Sequence, residues 1–387
     1  MSNFKYETLD MSFFDGQVTT LETKLDPNIP YYLGYDIKEK FCDKLKESDF
    51  DKVIFITEKA IYDYHGKHLY ATFSDHSIES ELLFIEGGEG DKSYNFLSEL
   101  TNKLIDLGVT KDTILLAFGG GSVGNIVGLS AALIFRGIRF IEMPTTFMGQ
   151  TDSTLSHKQA INGQYGKNHF GHYYAPLFIW SDILYISTEP KRSLRSGIVE
   201  SVKNGFIYHP HFLDVLENKL KPNVDFSKET LCNLVYYSIL SKIEIIECDP
   251  TERKLGMILE YGHTFGHALE WLGKGKYLHG EAVAIGMVIA AQLSEKLGHL
   301  TSSDVKRHEE IFQDKLGLDL SVPDAIDPDE IHSTIVNDNK RGAGGVQYIL
   351  LEKIGSCKKN GNDSYMVDIP NELVKSNLDS YLASNSC

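Results

Sequence analysis

The sequence predicts an α/β N-terminal half, residues 1–182, followed by a mainly α-helical C-terminal half, residues 183–387. Three observations predict it. Up to about residue 182, short β-branched apolar runs alternate with amphipathic helical patterns, the mark of a parallel sheet flanked by helices. Beyond that point long helical periodicities follow one another with few strand runs. Finally, 387 residues are more than one ordinary core accommodates and suggest two domains.

The elements follow in order. Residues 52–57, Lys-Val-Ile-Phe-Ile-Thr, and Glu81–Ile85 read as buried parallel strands. Tyr94–Leu107 repeats Phe96, Leu97, Leu100, Leu104 and Leu107 at helical spacing. Thr113–Phe118 is a further strand, running into the glycine-rich stretch Gly119–Gly128 and then a helix over Leu129–Phe135. Such a turn between a buried strand and a helix N-terminus offers backbone N–H groups and the positive end of the helix dipole to a phosphate or pyrophosphate. Its spacing is not GxGxxG with an acidic residue about 20 positions on, so it is a dinucleotide loop of atypical form. The alternative, a plain tight turn, needs one or two glycines rather than three in a row.

After a strand over Arg139–Met143, the segment 144–168 is polar and carries Asp152, Lys158, Asn162, Lys167 and Asn168. Its position beyond strands that point at a nucleotide loop favours a substrate-facing role over a solvated surface loop. In the C-terminal half, helices are predicted over Lys191–Tyr208, Lys228–Ile246, Met257–Leu272 and Glu281–Leu297. Pro210–Asn223 and 322–330 read as loops, 337–345 as a glycine-rich loop, and Val346–Leu351 as hairpin-like.

Composition narrows the function. A net charge of −16 and a pI near 5.3 argue against nucleic acid or an anionic membrane as partner, because no global positive field exists to collect phosphates. An anionic small substrate needs a local cluster of Lys and Arg instead. The N-terminus lacks the apolar run of a signal peptide and no stretch approaches 18 apolar residues, so a soluble, unexported, cytoplasmic protein is expected. The five cysteines, at 42, 232, 248, 357 and 387, lack CxxC spacing and fit reduced thiols.

The densest chemistry lies in Glu260–Glu270 and Leu278–Glu281. His263 and His267 stand four residues apart, so on a helix both imidazoles leave one face, and His279 offers a third nitrogen. Three protein ligands with one open position is the pattern of a catalytic zinc site, its acidic partner coming from elsewhere in the chain. The alternative is a core-edge histidine pair, since the Glu beside the first His of a zinc-protease signature is missing. Glycines at 262, 266 and 280 favour the site, because they let backbone or ligand approach closely.

With these residues in view, the chain resembles the sugar phosphate cyclases, the family of dehydroquinate synthase, over nearly its whole length. The matching blocks are Gly88–Lys92, Gly119–Gly128, Pro144-Thr-Thr, Asp152 with Lys158, Gly166–Asn168, Gly197–Lys203, Gly262-His263 and His279-Gly-Glu. The resemblance implies an N-terminal NAD-binding domain, a C-terminal domain holding a divalent metal such as zinc or cobalt, and a homodimer. It makes Glu200, His263 and His279 the metal ligands. Glu58, Glu89, Lys92, Gly120, Gly121, Ser122, Val123, Thr145, Thr146 and Lys167 would hold NAD. Asp152, Asn168, Lys242 and Lys340 would bind a sugar phosphate, with Lys158, Lys203, Glu260 and His267 in catalytic roles. His267 is the candidate for proton transfer, since imidazole titrates near neutrality.

The departures narrow the substrate. Dehydroquinate synthases read Arg-x-x-Leu-Asn-x-Gly-His before the first metal His, and the same register here gives Gly256, Leu259 and Glu260. Arg is the natural fork for a carboxylate, so its loss implies a substrate without that group. Glu260 offers an acceptor to neutral hydroxyls and repels an acidic substrate. Together with Lys158-Gln159-Ala160 and Gly124-Asn125, these residues resemble family members that cyclise glucose 6-phosphate with loss of phosphate. The competing expectations are another cyclase of the family, acting on a phosphorylated sugar or on the dehydroquinate precursor, and a metal-dependent NAD dehydrogenase of the iron-containing alcohol dehydrogenase type.

Overall fold

The computed structural model describes residues 5–21, 28–164, 166–249, 252–337 and 346–385. The chain forms two compact units, one mainly of Thr8–Pro190 and Lys228–Ile239, the other mainly of Lys191–Ser227 and Leu240–Cys387.

The first unit is built on seven strands, β1 (Thr19–Leu21), β2 (Tyr31–Gly34), β3 (Val53–Glu58), β4 (Ser80–Ile85), β5 (Ile114–Gly119), β6 (Arg139–Pro144) and β9 (Ile179–Asp182). They lie in the order β1-β2-β9-β6-β5-β3-β4, parallel except where β1 meets β2. Side chains of a strand alternate between faces, and the core divides accordingly. Phe55, Phe118 and Trp180 join Phe41 and Phe73 on one side, while Ile54, Ile56 and Phe140 join Leu97, Leu100 and Ile126 on the other. Burial on both faces explains why these strands read as continuous apolar runs. The flanking helices are α1 (Phe41–Leu45), α2 (Lys59–Ile61), α3 (Lys67–Asp75), α4 (Tyr94–Asp106), α5 (Gly121–Leu133) and α6 (Phe147–Thr151).

Two expectations change here. Helix α5 starts at Gly121, not at residue 129, so most of the glycine-rich stretch is helical. The reason is packing. A Cβ at Gly128 would meet the Gln159 side chain at 2.5 Å, and one at Gly124 would come within 3.5 Å of Glu142. The polar segment 144–168 is also ordered, as α6 and the antiparallel pair β7 (Lys158–Gly163) and β8 (Gly166–Tyr173).

The second unit contains α7 (Lys191–Ile207), α8 (Pro210–Lys219), α10 (His263–Leu272), α11 (His279–Lys296), α12 (Ser302–Glu310), α13 (Pro328–Asn337) and α14 (Asn371–Asn385). Helix α9 (Lys228–Cys248) divides between the two units at Ile239–Leu240. Helix α11 is apolar on nearly every side because it packs against α7, α10, α12 and α14. Pro210–Asn223 is not a loop: Pro210 opens α8, where its missing N–H costs nothing. The 322–330 loop ends at Pro328, which starts α13 in the same way. The hairpin expected at 346–351 resolves into two small pairs, β10 (Gln347–Tyr348) with β13 (Val367–Asp368), and β11 (Leu351–Lys353) with β12 (Ser356–Cys357).

The helix predicted over Met257–Leu272 is interrupted. A 3-10 turn, Leu255–Glu260, gives way to a tight turn at Tyr261 and Gly262, the glycine at φ 79°, and α10 then begins at His263. Gly262 meets α11 backbone to backbone, since a Cβ on Gly286 would lie 2.1 Å from the Gly262 carbonyl oxygen.

Candidate metal centre and nucleotide site

Three elements of the helical unit converge. Helix α7 presents Glu200 and Lys203 one turn apart on one buried face. The break at Tyr261-Gly262 puts His263 first on α10, and His279 is first on α11. A Cβ on Gly280 would stand 1.9 Å from the Ser196 carbonyl oxygen, so α11 reaches α7 only because residue 280 is glycine.

The ligand atoms of Glu200, His263 and His279 lie within 4.8 Å of one another. Nε2 of His263 and of His279 stand 3.7 and 3.5 Å from Glu200 Oε1. Ligands about 2.0–2.2 Å from a tetrahedral cation sit about 3.4 Å apart, close to this spacing. Glu200 Oε1 is buried and takes no hydrogen bond of ordinary geometry, while Oε2 accepts from the Lys203 ammonium. A buried carboxylate oxygen left without a donor between two imidazoles is costly in a purely structural cluster and suits a divalent cation.

Without a cation the charges around the three groups decide their protonation, and His279 must give up its proton when an ion binds. Burial alone would raise the Glu200 carboxyl, but the Lys203 charge and the imidazoles outweigh it and hold it well below the usual carboxylate range. Burial, reinforced by Lys203, pushes His263 well below its ordinary value, so it stays neutral. At His279 burial is overcome by Glu200 and Glu270, which raise it to about 10.

Two supporting contacts escaped the sequence reading. His279 Nδ1 is 3.1 Å from Glu270 Oε2, and His263 Nδ1 is 3.2 Å from the Tyr261 carbonyl oxygen. Each fixes which ring nitrogen faces Glu200. Glu270 lies seven residues after His263, two turns along the same face of α10, and that spacing was a usable signal. The Tyr261 carbonyl left no trace in side-chain patterns. His267 joins the cluster, its ring 5.3 Å from that of His263 and 5.9 Å from that of His279. Lys242 is buried on α9. Glu260 closes the 3-10 turn three residues before His263, with one carboxylate oxygen buried. Lys340 lies outside the described residues.

The sheet unit gathers its predicted residues at the C-terminal ends of the strands, where nucleotides bind in open α/β sheets. Gly119 pairs with Pro144 at the ends of β5 and β6, and Gly120 caps α5. The Gly119–Gly121 turn walls a cavity with Asn125, Pro144 and Ser153. Ser122 lies in the first turn of α5. Val123 is buried against Gly119, so it has only its backbone N–H to give a ligand. The Thr146 hydroxyl accepts from Gly149 N and caps α6, and neighbouring Thr145 is buried. Glu58 ends β3, and its carboxyl is raised by burial and by Asp91.

A second group assembles on β7 and β8. Lys92 Nζ donates to Asn168 Oδ1 at 2.5 Å, and Asn162 Nδ2 donates to Glu89 Oε2 at 3.0 Å. Lys167 stands 3.1 Å from Glu89. Glu89, Lys92, Lys167 and Asn168 are therefore one network. Lys158 opens β7, and Asp152 ends α6 six residues earlier.

A parallel sheet with a glycine turn at the C-terminal ends of its strands, and a helical unit with one carboxylate and two imidazoles gathered at ligand spacing, are the marks of an enzyme that uses a nucleotide and a metal. The 3-dehydroquinate synthase N-terminal family matches residues 82–196, and its C-terminal family matches residues 197–341. The chain is 34% identical to 2-deoxy-scyllo-inosose synthase of Streptomyces lividus, over 94% of this chain and 96% of that protein. It is 34% identical to the enzyme of the same name from Streptomyces fradiae, over 93% of this chain and 85% of that one. A crystal structure of 2-deoxy-scyllo-inosose synthase complexed with carbaglucose-6-phosphate, NAD+ and Co2+ superposes with a TM-score of 0.86 at 32% identity, covering 94% of this chain and 100% of that chain. The chain belongs to the dehydroquinate synthase-like sugar phosphate cyclases.

Proposed function

We propose that the chain converts glucose 6-phosphate to 2-deoxy-scyllo-inosose with elimination of phosphate, using NAD and a divalent cation, zinc or cobalt. The observation that carries the reading is the pair Gly256 and Glu260. They replace a carboxylate-binding Arg and an Asn in a chain otherwise similar to 2-deoxy-scyllo-inosose synthases throughout.

Glu200, His263 and His279 hold the cation, with Glu270 and the Tyr261 carbonyl setting the two imidazoles. When bound, the cation supplies Lewis acidity at a sugar oxygen and NAD supplies reversible hydride transfer at C4. The residues do the rest. His267, one turn beyond His263, moves the proton of the hydroxyl that is oxidised. Lys158, Lys203 and Lys242 give cationic donors, and Asp152 and Asn168 orient hydroxyls. Glu260 accepts from neutral hydroxyls. Glu89, Lys92 and Lys167 address the cofactor together with Glu58, the Gly120–Val123 turn and Thr145-Thr146. Loss of the C5 proton and of phosphate, ring opening and aldol closure would complete the conversion, with the cofactor, if held by these residues, serving catalytically.

We further propose a cytoplasmic homodimer; among the described residues no helix is long and apolar enough to cross a membrane. The deciding experiment supplies glucose 6-phosphate, NAD and Co2+. Inorganic phosphate and a carbocyclic ketone should appear with no net reduced cofactor. Accumulation of reduced cofactor without phosphate marks a dehydrogenase, and turnover of the acidic heptulosonate phosphate instead overturns the Gly256 and Glu260 argument.

A further inference from the structure

We propose that His308, which touches none of the three cation ligands, is a positioning residue that ties together the two elements carrying Glu200 and His263. It does so through a ring stack on Phe206 and a hydrogen bond to Tyr261. The inference rests on the cation reading given above, but on no choice of sugar substrate.

His308 lies on α12, fully buried, and makes three directional contacts. Nδ1 stands 2.8 Å from the Asp304 carbonyl oxygen. A carbonyl only accepts, so Nδ1 carries the proton and Nε2 keeps its lone pair. Burial, which lowers this imidazole to about 4, keeps it neutral in that tautomer. Nε2 then lies 3.1 Å from the Tyr261 hydroxyl and accepts from it. The imidazole face lies on the Phe206 ring, 3.6 Å between centroids and 10° from parallel.

Both partners lead to the cation site. Phe206 is on α7, the helix that carries Glu200 and Lys203. Tyr261 is the turn residue before Gly262, and its carbonyl oxygen is the group that receives His263 Nδ1. The phenol's one proton goes to His308 Nε2, the nearer acceptor at 3.1 Å against 3.3 Å for the Met287 carbonyl, and this anchors Tyr261 where its carbonyl oxygen faces His263. His263 must then present Nε2 to Glu200. Space filling alone is met by an apolar ring, which needs no hydrogen bond; the imidazole adds a fixed acceptor for Tyr261.

The test uses full-length protein stripped of metal and titrated with Co2+ alone, reading affinity by chelator competition and site geometry from the d–d absorption bands. Tyr261→Phe and His308→Phe should each weaken Co2+ binding about tenfold, the lower end of the effect of a group that orients a ligand, and should shift the bands. His308→Gln, which keeps one donor and one acceptor, should recover most of the affinity. Variants that bind Co2+ with wild-type affinity and bands overturn the proposal, even if they melt earlier. Should His308→Phe fail to fold, Tyr261→Phe, which removes a single oxygen, decides alone. Wild-type protein that takes up no Co2+ overturns the cation reading and this one with it.

Discussion

Glu200 divides its two oxygens, one toward the Lys203 ammonium and one toward two imidazoles, so substitutions around it have separable outcomes. Glu200→Gln and His263→Ala should each strip the cation and abolish phosphate release, measured by metal analysis beside the assay; a metal-free His263→Ala protein with activity sinks the ligand assignment. Glu270→Gln weakens the acceptor behind His279 and should lower Co2+ affinity about 10- to 100-fold with the fold intact. Unchanged affinity would leave Glu270 a structural neighbour. Spacing along the chain pointed to His263 and His267 but not to Glu200, which lies more than sixty residues earlier and whose place among the ligands came from resemblance. A group supplied by another helix, or by a main-chain carbonyl as at Tyr261, carries no local periodicity to read.

Among the elements, glycines decide how closely helices approach. Periodicity carried the predicted helix straight through Tyr261-Gly262, because the apolar spacing continues on both sides of a break that only a positive φ reveals. Strands and long helices were legible for the opposite reason: burial on one or both faces writes a repeating pattern. The α5 glycines misled, since Gly124 and Gly128 serve packing against β6 and β7 while only the first ones shape the turn. Two substitutions check this. Gly286→Ala sets a methyl against the Gly262 carbonyl and should destabilise by about 1–3 kcal/mol or more in urea unfolding, with loss of Co2+ affinity as α10 and α11 separate. Gly128→Ala meets the Gln159 side chain, which has room to yield only at the expense of its bond to Glu142, and should destabilise without touching Co2+ binding. Equal effects on Co2+ would contradict this division.

For the molecule as a whole, the buried acids of the sheet unit set a pH dependence. Burial raises Glu142 and Glu189 from 4.5 to about 8 despite hydrogen bonds from Gln159 and from the Phe147 N–H, and raises Asp182 from 3.8 to about 6. Folded protein therefore holds protons that the unfolded chain has released, and stability is full at the acid end of this window and lost as pH rises through about 8. Urea unfolding should weaken by about 1–3 kcal/mol between pH 7 and 8.5, above the range in which the buried neutral His157 and His308 act with opposite sign, and Glu142→Gln should reduce the slope. A slope of opposite sign refutes the assignment. Glu200 and the buried neutral imidazoles of His157, His263 and His308 work the other way, but only below the ordinary histidine range. The pairing of Glu200 with Lys203 has a last consequence. An ammonium built into the scaffold balances the carboxylate without an ion, so the empty pocket should hold its shape. Chelation should leave circular dichroism unchanged, and one ion should exchange for another without refolding, which makes the protein a vessel whose cargo can be replaced at will.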